Sequence, residues 1–385
     1  MNLKSKGVAL PPNAVIGIVG GGQLGRMSAM AAASLGFRTH ILAGKPDDPG
    51  VQVVNSATIG RFDDPEVLKR FATAVDVVTF EFENISAAGL DLLSELKPVH
   101  PSGSILRISQ DREQEKTFLG SIGVPVAPWQ IVRERSDLDL AAETLGYPFI
   151  LKTTRLGYDG KGQFRVRDAS QLDEAFEKLS PKPLVAEGMV DFAMEVSVMV
   201  ARGVEGTVRC FDVTENRHVS GILDLSLAPA RISTELMAEA HKLARRIAEG
   251  VDLVGLLGVE MFVGSKGELL VNEIAPRPHN SGHWTMDACA CGQFEMHIRA
   301  VTGLPLPEPV RHSDAVMKNL VGPNDMALWP EIVVADGLIP HLYGKREARV
   351  GRKMGHVNVL FPKGGLPGEF GVQAALGPLA ARTED

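Results

Sequence analysis

The stretch 269–285, LLVNEIAPRPHNSGHWT, constrains the fold most strongly, because a strand-like run leads into a segment that no regular element can contain. The apolar residues 269–271 are typical of a buried strand. We expect Asn272 and Glu273 to end this strand. The two prolines, two histidines, arginine and Ser-Gly pair that follow predict an irregular loop. A carboxylate at a strand end beside cationic side chains indicates a functional site.

A second strand is predicted just upstream at 258–263, GVEMFV. If Lys266 and Gly267 form a two-residue hairpin loop, Glu260 and Glu273 lie directly opposite each other. Their Cβ atoms would be about 4.5–5.5 Å apart, and at an effective dielectric near 20 the two charges would repel by roughly 3 kcal/mol. Protonation of one acid, a shared divalent cation, or separate Lys or Arg partners would remove this cost. The neighbouring loop favours the cation, and a site with few oxygen ligands favours Mg²⁺.

Length and composition limit the class of protein. At 385 residues the chain should hold two to four domains. A net charge of −7 and the lack of any block of basic residues argue against a nucleic-acid partner. The three cysteines form no zinc pattern, and the first residues do not resemble a signal peptide, so we expect a cytoplasmic protein. No apolar run reaches the length of a membrane span.

The N-terminal part carries a glycine fingerprint. A buried strand is predicted at 15–19, and GGGQLG at 20–25 leads from it into a helix, as in dinucleotide-binding proteins. The next strand runs into 43–45, AGK, without the acid that would bind the ribose of NAD. Backbone N–H groups at a helix N-terminus still favour an anion such as phosphate, although a plain glycine turn is the alternative. Glu81 and Glu83 end a later strand and are interpreted either as ligand contacts or as solvated ends.

The middle of the chain carries a second glycine-rich segment. Lys152 ends a predicted strand, and the segment 157–163, GYDGKGQ, follows it. Glycine N–H groups and a lysine can together bind phosphates, although the pattern is not a P-loop and a flexible hairpin turn is the alternative. Strands are also predicted at 147–151, 184–187 and 194–200, and one helix at 105–119.

The order of these features resembles the ATP-grasp ligases, which hold ATP between two α+β subdomains. That order is Lys116, Lys152, the glycine segment, Glu187, Glu195, Glu260 and the pair Asn272-Glu273. Longer motifs resemble the ATP-grasp family that carboxylates 5-aminoimidazole ribonucleotide in purine biosynthesis. These motifs lie at 20–27, 127–129, 272–285, 293–297 and 351–356. The resemblance extends from about Val15 to Asn358.

The resemblance implies an α/β and α+β fold. It comprises a pre-ATP-grasp domain with a doubly wound parallel sheet, a two-part ATP-grasp domain and a small C-terminal β-rich domain. The predicted bounds are 1–115 for the Rossmann-like N-terminal domain, 116–190 for the small lid subdomain, 191–310 for the large subdomain with the metal site, and 311–385 for the C-terminal domain that closes the substrate site.

The resemblance also implies the roles of individual residues. Glu260 and Glu273 would hold Mg²⁺, with Mn²⁺ as a possible substitute. Three residues would act on the reacting groups: Arg277, His279 and Lys353. ATP would contact Arg112, Lys152, Gly157, Tyr158, Asp159, Gly160, Lys161, Gly162, Gln163, Glu187, Gly188, Met189, Val190, Glu195, His218, Asn272 and Glu273. The ribonucleotide and bicarbonate would contact Gly22, Gln23, Arg155, Asn280, His283, Lys345 and Arg352.

The implied reaction has two steps. Bicarbonate attacks the γ-phosphate of ATP to give carboxyphosphate and ADP, and the exocyclic amine of 5-aminoimidazole ribonucleotide then takes the carboxyl group. The expected partners are these small molecules and a second copy of the chain in a homodimer, with no nucleic acid and no membrane. The alternatives are a formate-dependent glycinamide ribonucleotide transformylase, a nicotinamide oxidoreductase, and a non-catalytic nucleotide-binding module. The missing ribose-binding acid counts against the oxidoreductase, and the full set of carboxylates counts against the module.

Overall fold

The computed structural model describes residues 9–155 and 162–380, so residues 157–161 of the predicted glycine-rich segment lie outside it. The described strands form three sheets. None of the helices in the described ranges combines the length and hydropathy that crossing a membrane requires.

The N-terminal sheet is parallel, as the glycine fingerprint predicts. Its strands are β1 (Val15–Val19), β2 (Arg38–Ala43), β3 (Ser56–Ile59) and β4 (Val77–Phe80), in the spatial order β3-β2-β1-β4. The helices of this region are α1 (Gln23–Ser34), α2 (Pro65–Thr73) and α3 (Ala87–Leu96). Strands β1, β2 and β4 are almost wholly buried, which explains their unbroken apolar runs. Their carboxyl ends meet at one edge, where open α/β sheets bind ligands.

The predicted single helix at 105–119 is wrong. The segment forms two helices, α4 (Gly103–Ser109) and α5 (Arg112–Ser121). Asp111 has an extended backbone, and its carboxylate accepts hydrogen bonds from Glu113 N at 3.1 Å and Gln114 N at 3.3 Å. An aspartate in this position caps a helix N-terminus. Helix α5 is therefore separate from α4 and begins at Arg112.

The second sheet is antiparallel and is covered on one face by two helices. Its strands are β5 (Trp129–Val132), β6 (Phe149–Thr153), β7 (Gln163–Val166) and β8 (Leu184–Gly188), in the order β5-β8-β6-β7. The helices are α6 (Arg135–Leu145) and α7 (Leu172–Leu179). Phe149 and Leu151 point into the core beneath the helices, so Lys152 lies on the opposite face.

The third sheet contains nine strands within the described residues. They are β9 (Phe192–Arg202), β10 (Val208–Cys210), β11 (Thr214–Val219), β12 (Ile222–Ala228), β13 (Gly255–Gly264), β14 (Leu269–Ala275), β15 (Ser313–Val321), β16 (Leu338–Leu342) and β17 (Lys353–Pro362). The order is β14-β13-β9-β11-β12-β15-β17-β16, and β10 pairs with β9. The remaining helices are α8 (Thr234–Gly250), α9 (Thr285–Ala288), α10 (Gln293–Thr302), α11 (Gly322–Ala327), α12 (Trp329–Ile332) and α13 (Glu369–Leu376). The C-terminal strands therefore extend the central sheet.

The hairpin of β13 and β14 has the predicted pairing but not the predicted loop. Glu260 lies opposite Glu273. Gly264 N donates to Glu268 O at 2.8 Å, so the loop contains three residues, and Gly267 takes the left-handed conformation that such loops place last. Met261 pairs with Val271, which leaves Asn272 as the extra residue of a β-bulge. Strand β14 also continues to Ala275, beyond its predicted end.

Candidate active site

A cavity of about 610 Å³ lies where the three sheets meet. Strand ends and loops supply its walls: the residues after β4, the first turn of α5, β6, and the neighbouring strands of the large sheet. The predicted site residues that line it are Gln23, Arg112, Lys152, Gln163, Glu195, His218, Glu260, Asn272, Glu273, Arg277, His279, Asn280 and Lys353. The fold therefore gathers most of the predicted residues that the structure describes.

The other predicted residues lie outside this lining. Gly22 borders a smaller adjoining cavity of about 340 Å³. Arg155 makes an ion pair with Asp111, with 2.8 Å between Nε and Oδ2. His283 is 1 % exposed, and its Nδ1 lies 2.8 Å from Gln293 Nε2. The remaining ones are Gly162, Glu187, Gly188, Met189, Val190, Lys345 and Arg352, while Gly157, Tyr158, Asp159, Gly160 and Lys161 fall outside the described residues.

The opposed carboxylates lie on the cavity wall. Burial, and then the charge of Glu273, raise the pKa of Glu260 to about 8. Glu260 Oε1 lies 3.1 Å from His279 Nε2, and Glu273 Oε2 lies 4.0 Å from Arg112 Nη1. Burial, followed by the charge of Arg277, lowers the pKa of His279 well below its ordinary value. His279 is therefore neutral and adds no positive charge beside Glu260.

This pair fits a nucleotide-bound Mg²⁺ better than a metal site built by the protein alone. Within 9–155 and 162–380, no group of three or more His, Cys, Asp or Glu side chains has a geometry that could hold a metal ion. Mg²⁺ is usually held by one or two carboxylates and completes its octahedron with water and phosphate oxygens. Glu260 and Glu273 meet that need once a triphosphate is present.

A buried ion triad positions the ammonium group of Lys152 on the side of the cavity that the second sheet forms. Glu187 accepts from Lys152 Nζ at 2.7 Å and lies 3.3 Å from Lys116 Nζ. The Lys116 side chain is 2 % exposed and the Glu187 side chain 6 %. Burial opposes ionisation of Glu187, but the two lysines outweigh it and lower the pKa of this carboxyl. Glu187 thereby fixes the ammonium group of Lys152, which reaches the cavity.

A second pair faces the cavity from the large sheet. His218 Nδ1 makes a short hydrogen bond with Glu195 Oε2, across the paired strands β11 and β9. Burial lowers the pKa of His218, but the hydrogen bond and the charge of Glu195 outweigh this effect and raise it overall. The two residues thus form a hydrogen-bonding unit suited to hydroxyl groups.

Three further carboxylates line the cavity: the sequence left Glu81 and Glu83 open between ligand contacts and solvated ends, and it did not indicate Glu115. Glu83 Oε1 lies 2.6 Å from Arg277 Nη2, and Glu81 accepts from backbone N–H groups at the start of α1. Glu115 accepts from Ile274 N at 2.8 Å; burial, and then the charge of Glu273, raise its pKa to about 8. The strand-end position of Glu81 and Glu83 was a visible signal. Glu115 gave none, because its partner is 159 positions away.

Models of known domains match the three parts of the chain. Residues 13–110 match the ribonucleotide synthetase preATP-grasp domain, 117–294 the ATP-grasp domain, and 315–364 the phosphoribosylaminoimidazole carboxylase C-terminal domain. The fold and the cavity thus define an ATP-grasp ligase, as the sequence predicts.

Similar proteins narrow the assignment. The N5-carboxyaminoimidazole ribonucleotide synthase of Brucella melitensis is 48% identical over 357 residues, which is 92% of this chain and 98% of that protein. The crystal structure of an ADP complex of an N5-carboxyaminoimidazole ribonucleotide synthetase has a TM-score of 0.89 at 42% identity and covers 91% of this chain and 93% of its own. The Aspergillus clavatus enzyme, in complex with ADP and 5-aminoimidazole ribonucleotide, has a TM-score of 0.88 at 31% identity, with 95% and 97% covered. The chain belongs to the N5-carboxyaminoimidazole ribonucleotide synthase family, and this prediction is confirmed.

Proposed function

We propose that the chain uses ATP and bicarbonate to carboxylate 5-aminoimidazole ribonucleotide, giving N5-carboxyaminoimidazole ribonucleotide for purine biosynthesis. The observation that carries this proposal is that a carboxylate pair, Lys152 and the loop from Arg277 to Asn280 line the same cavity. The solved relative that binds ADP and 5-aminoimidazole ribonucleotide supports it.

The nucleotide would lie between the second and third sheets. Lys152 and Arg112 would contact its phosphates, and the hydrogen-bonded pair Glu195 and His218 would contact the ribose hydroxyls. The backbone at 187–190, which ends β8, would contact adenine. Gly162 and Gln163 would contact the phosphates, and we keep the same predicted role for 157–161, which lie outside the described residues. Asn272 lines the cavity beside Glu273 and would face the same phosphates.

Mg²⁺ would be held by Glu260 and Glu273, and Mn²⁺ has the same preference for oxygen ligands. Such an ion neutralises triphosphate charge and polarises the phosphoryl group. Burial, and then the charge of Glu273, raise the pKa of Glu260, and a bound cation would offset both effects. The chain's own contribution is to hold two carboxylates on one face of the hairpin.

The chemistry would proceed in two balanced steps. A bicarbonate oxygen attacks the γ-phosphorus, the bond to ADP breaks, and carboxyphosphate forms. The amine nitrogen then attacks the carboxyl carbon, phosphate leaves, and the nitrogen loses a proton. Arg277, His279 and Lys353 would surround the bicarbonate and stabilise the charge that develops on its oxygens. Because carboxyphosphate is a mixed anhydride, closure over the cavity must exclude water.

The ribonucleotide would bind at the side of the cavity where the N- and C-terminal parts meet. We propose contacts from Gln23 and Asn280, which line the cavity. Lys345 and Arg352 would add charge from the segment between β16 and β17. We retain Gly22, Arg155 and His283 as proposed contacts, although they lie outside the lining in this conformation.

The deciding experiment measures ADP release in degassed buffer with Mg²⁺. We expect release only when bicarbonate and 5-aminoimidazole ribonucleotide are both present. The loop that contains Arg277, His279, Asn280 and His283 offers several hydrogen-bond donors. This number of donors suits bicarbonate, which has three oxygens, better than formate, which has two. ADP release with formate and glycinamide ribonucleotide, or equal release without bicarbonate, would overturn the proposal.

We further propose the domain bounds given above, a homodimer and a cytoplasmic location. A monomeric sedimentation coefficient would contradict the homodimer.

A further inference from the structure

Glu115 connects helix α5 to the strand that carries Glu273. Its side chain is almost fully buried, with the residue 2 % exposed. Its Oε1 accepts a hydrogen bond from Ile274 N at 2.8 Å. The same helix begins with Arg112, whose Nη1 lies 4.0 Å from Glu273 Oε2. One helix therefore contacts both the backbone and the side chain at the proposed metal ligand.

The position of Ile274 N follows from the β-bulge. Strand β14 is at the edge of its sheet, so its outward N–H groups need acceptors from outside the sheet. Before the bulge, Val271 N points outward and donates to Pro125 O at 2.8 Å. Outward N–H groups normally recur every second residue, which would include Glu273 and exclude Ile274. The extra residue Asn272 shifts this alternation by one, so the next outward donor is Ile274 N, and Glu115 accepts it.

The same bulge decides on which face the Glu273 side chain lies. The register at the end of the hairpin pairs Met261 with Val271. Continued without a bulge, it would place Asn272 opposite Glu260. Glu273 would then project from the other face, because a shift of one residue reverses every side chain. With the bulge, Glu260 and Glu273 are directly paired.

We propose that Glu115 is a positioning residue for the metal site: by accepting the Ile274 N–H it holds the β14 bulge, and the bulge holds Glu273 beside Glu260. This inference rests on the proposed function, since it assigns these two carboxylates to Mg²⁺. Glu115 acts through the backbone and need not touch the metal or the nucleotide.

Comparing Glu115→Leu with Glu115→Gln tests whether the side chain acts as the hydrogen-bond acceptor for Ile274 N. Leucine keeps an apolar volume but leaves Ile274 N without an acceptor. Glutamine keeps a carbonyl oxygen that can accept the same bond. We expect the leucine variant to need about 10- to 100-fold more Mg²⁺ for half-maximal ADP release, the range typical when a contact behind a metal ligand is lost. We expect the glutamine variant to stay within a few-fold of the parent in the same assay.

Three further measurements distinguish positioning from a general loss of stability. Asp64→Ala, which removes the cap of α2 in the N-terminal part, should lower stability without changing the Mg²⁺ requirement. The amide of Ile274 should exchange faster in the leucine variant than in the glutamine variant. Glu115→Asp, which keeps the carboxyl group but shortens its reach, replaces the leucine variant if that variant does not fold, and it should also raise the Mg²⁺ requirement.

The proposal is overturned if folded Glu115→Leu, or Glu115→Asp in its place, keeps the parent's Mg²⁺ requirement, or if Glu115→Gln is as impaired as Glu115→Leu. Failure of the metal assignment itself is detected separately with Glu273→Gln. If that variant keeps the parent's Mg²⁺ dependence, the proposed metal site fails, whatever the Glu115 variants show.

Discussion

Glu81 Oε1 accepts a hydrogen bond from Gly22 N at 2.7 Å, so a carboxylate of the protein occupies the N-terminal end of α1. Its Oε2 accepts a second bond from Gly25 N at 3.1 Å. Burial raises the pKa of Glu81, while these N–H groups favour its ionised form. The N–H groups of the glycine fingerprint thus bind a carboxyl group of the protein itself. A ribonucleotide phosphate could use the same N–H groups only after Glu81 moved away.

Gly22→Ala should disturb this contact. A Cβ on Gly22 would lie 2.5 Å from Glu81 Oε1, so the buried carboxylate must shift and its hydrogen bonds weaken. We expect a loss of about 1–3 kcal/mol in the free energy of unfolding, measured by urea denaturation. Gly120→Ala in α5 is the matched control: its Cβ would meet no atom within 4 Å, so it should be neutral or stabilising. Equal stability of Gly22→Ala and the parent would contradict the close contact.

Glu273→Gln should abolish turnover while the protein stays folded. The change removes a proposed metal ligand but keeps the volume of the side chain. It also removes the charge that helps to raise the pKa of Glu260. Without metal, the unfolding temperature should therefore hold or rise. Unchanged ATP turnover would refute the metal assignment.

The pH dependence of this effect has a definite sign. Glu260 has a pKa of about 8 in the folded chain against an ordinary value of 4.5, so its ionisation destabilises the fold as the pH rises through that window. Glu273→Gln should lower the folded pKa of Glu260 and reduce this loss. In calorimetry with EDTA between pH 5 and 8.5, the unfolding temperature of the variant should increase relative to that of the parent as the pH rises. A difference in unfolding temperature that stays constant with pH would show that the charge of Glu273 does not affect the ionisation of Glu260.

The sequence predicted the Glu260–Glu273 pair through two errors that cancelled. The loop has three residues instead of two, which shifts the register by one, and the bulge at Asn272 shifts it back. Hairpin loops have local signals, so glycine at 267 could have indicated the longer loop. The bulge has no such signal, because the acceptor for the N–H of Ile274, the residue after Glu273, is Glu115, which lies 159 positions away.

The fold was more predictable than the details of the site. Apolar runs and the glycine fingerprint at 20–25 predict the parallel sheet from local pattern alone, and the structure confirms it. The role of Glu81 could not be predicted in the same way. Its carboxylate reaches the glycine turn only because β4 and β1 are neighbours in the sheet, and strand neighbours are a tertiary property.

The buried ion triad should be very sensitive to loss of its carboxylate. Glu187→Ala would leave Lys116 and Lys152 close together, with no carboxylate between them, in a largely buried site. We expect a loss of about 3–5 kcal/mol in the free energy of unfolding, since the remaining charges lose their compensation. Lys116→Met should cost less, because Glu187 keeps its 2.7 Å contact with Lys152. Urea denaturation measures both changes, and a larger loss for Lys116→Met would contradict this account.

Arg352→Ala should weaken use of the ribonucleotide and leave ATP binding nearly intact. The Arg352 guanidinium donates to Glu347 O at 2.9 Å in the segment between β16 and β17, away from the residues proposed for ATP. We expect a higher KM for the ribonucleotide and an unchanged KM for ATP. An equal rise in the KM values for the ribonucleotide and for ATP would indicate that Arg352 stabilises the structure and does not bind the ribonucleotide.

Lys345 should make ribonucleotide binding depend on pH. Burial, and then the charge of Arg352, lower the pKa of Lys345 to about 8, and its Nζ donates to Lys353 O at 2.6 Å. If its charge attracts the ribonucleotide phosphate, the affinity falls as the pH rises through this pKa, because the ammonium group then loses its proton. Near pH 9 only about a tenth of the free enzyme would carry this charge.

The KM for the ribonucleotide should therefore rise between pH 7 and 9 in the parent, at saturating ATP and bicarbonate. Lys345→Arg keeps its charge over this range, so its profile should be flatter. Bicarbonate speciation changes equally in both assays, and the KM for ATP, measured alongside, reports whether the arginine is tolerated. Parallel profiles for the two proteins, with an unchanged KM for ATP, would show that the charge of Lys345 does not bind the ribonucleotide.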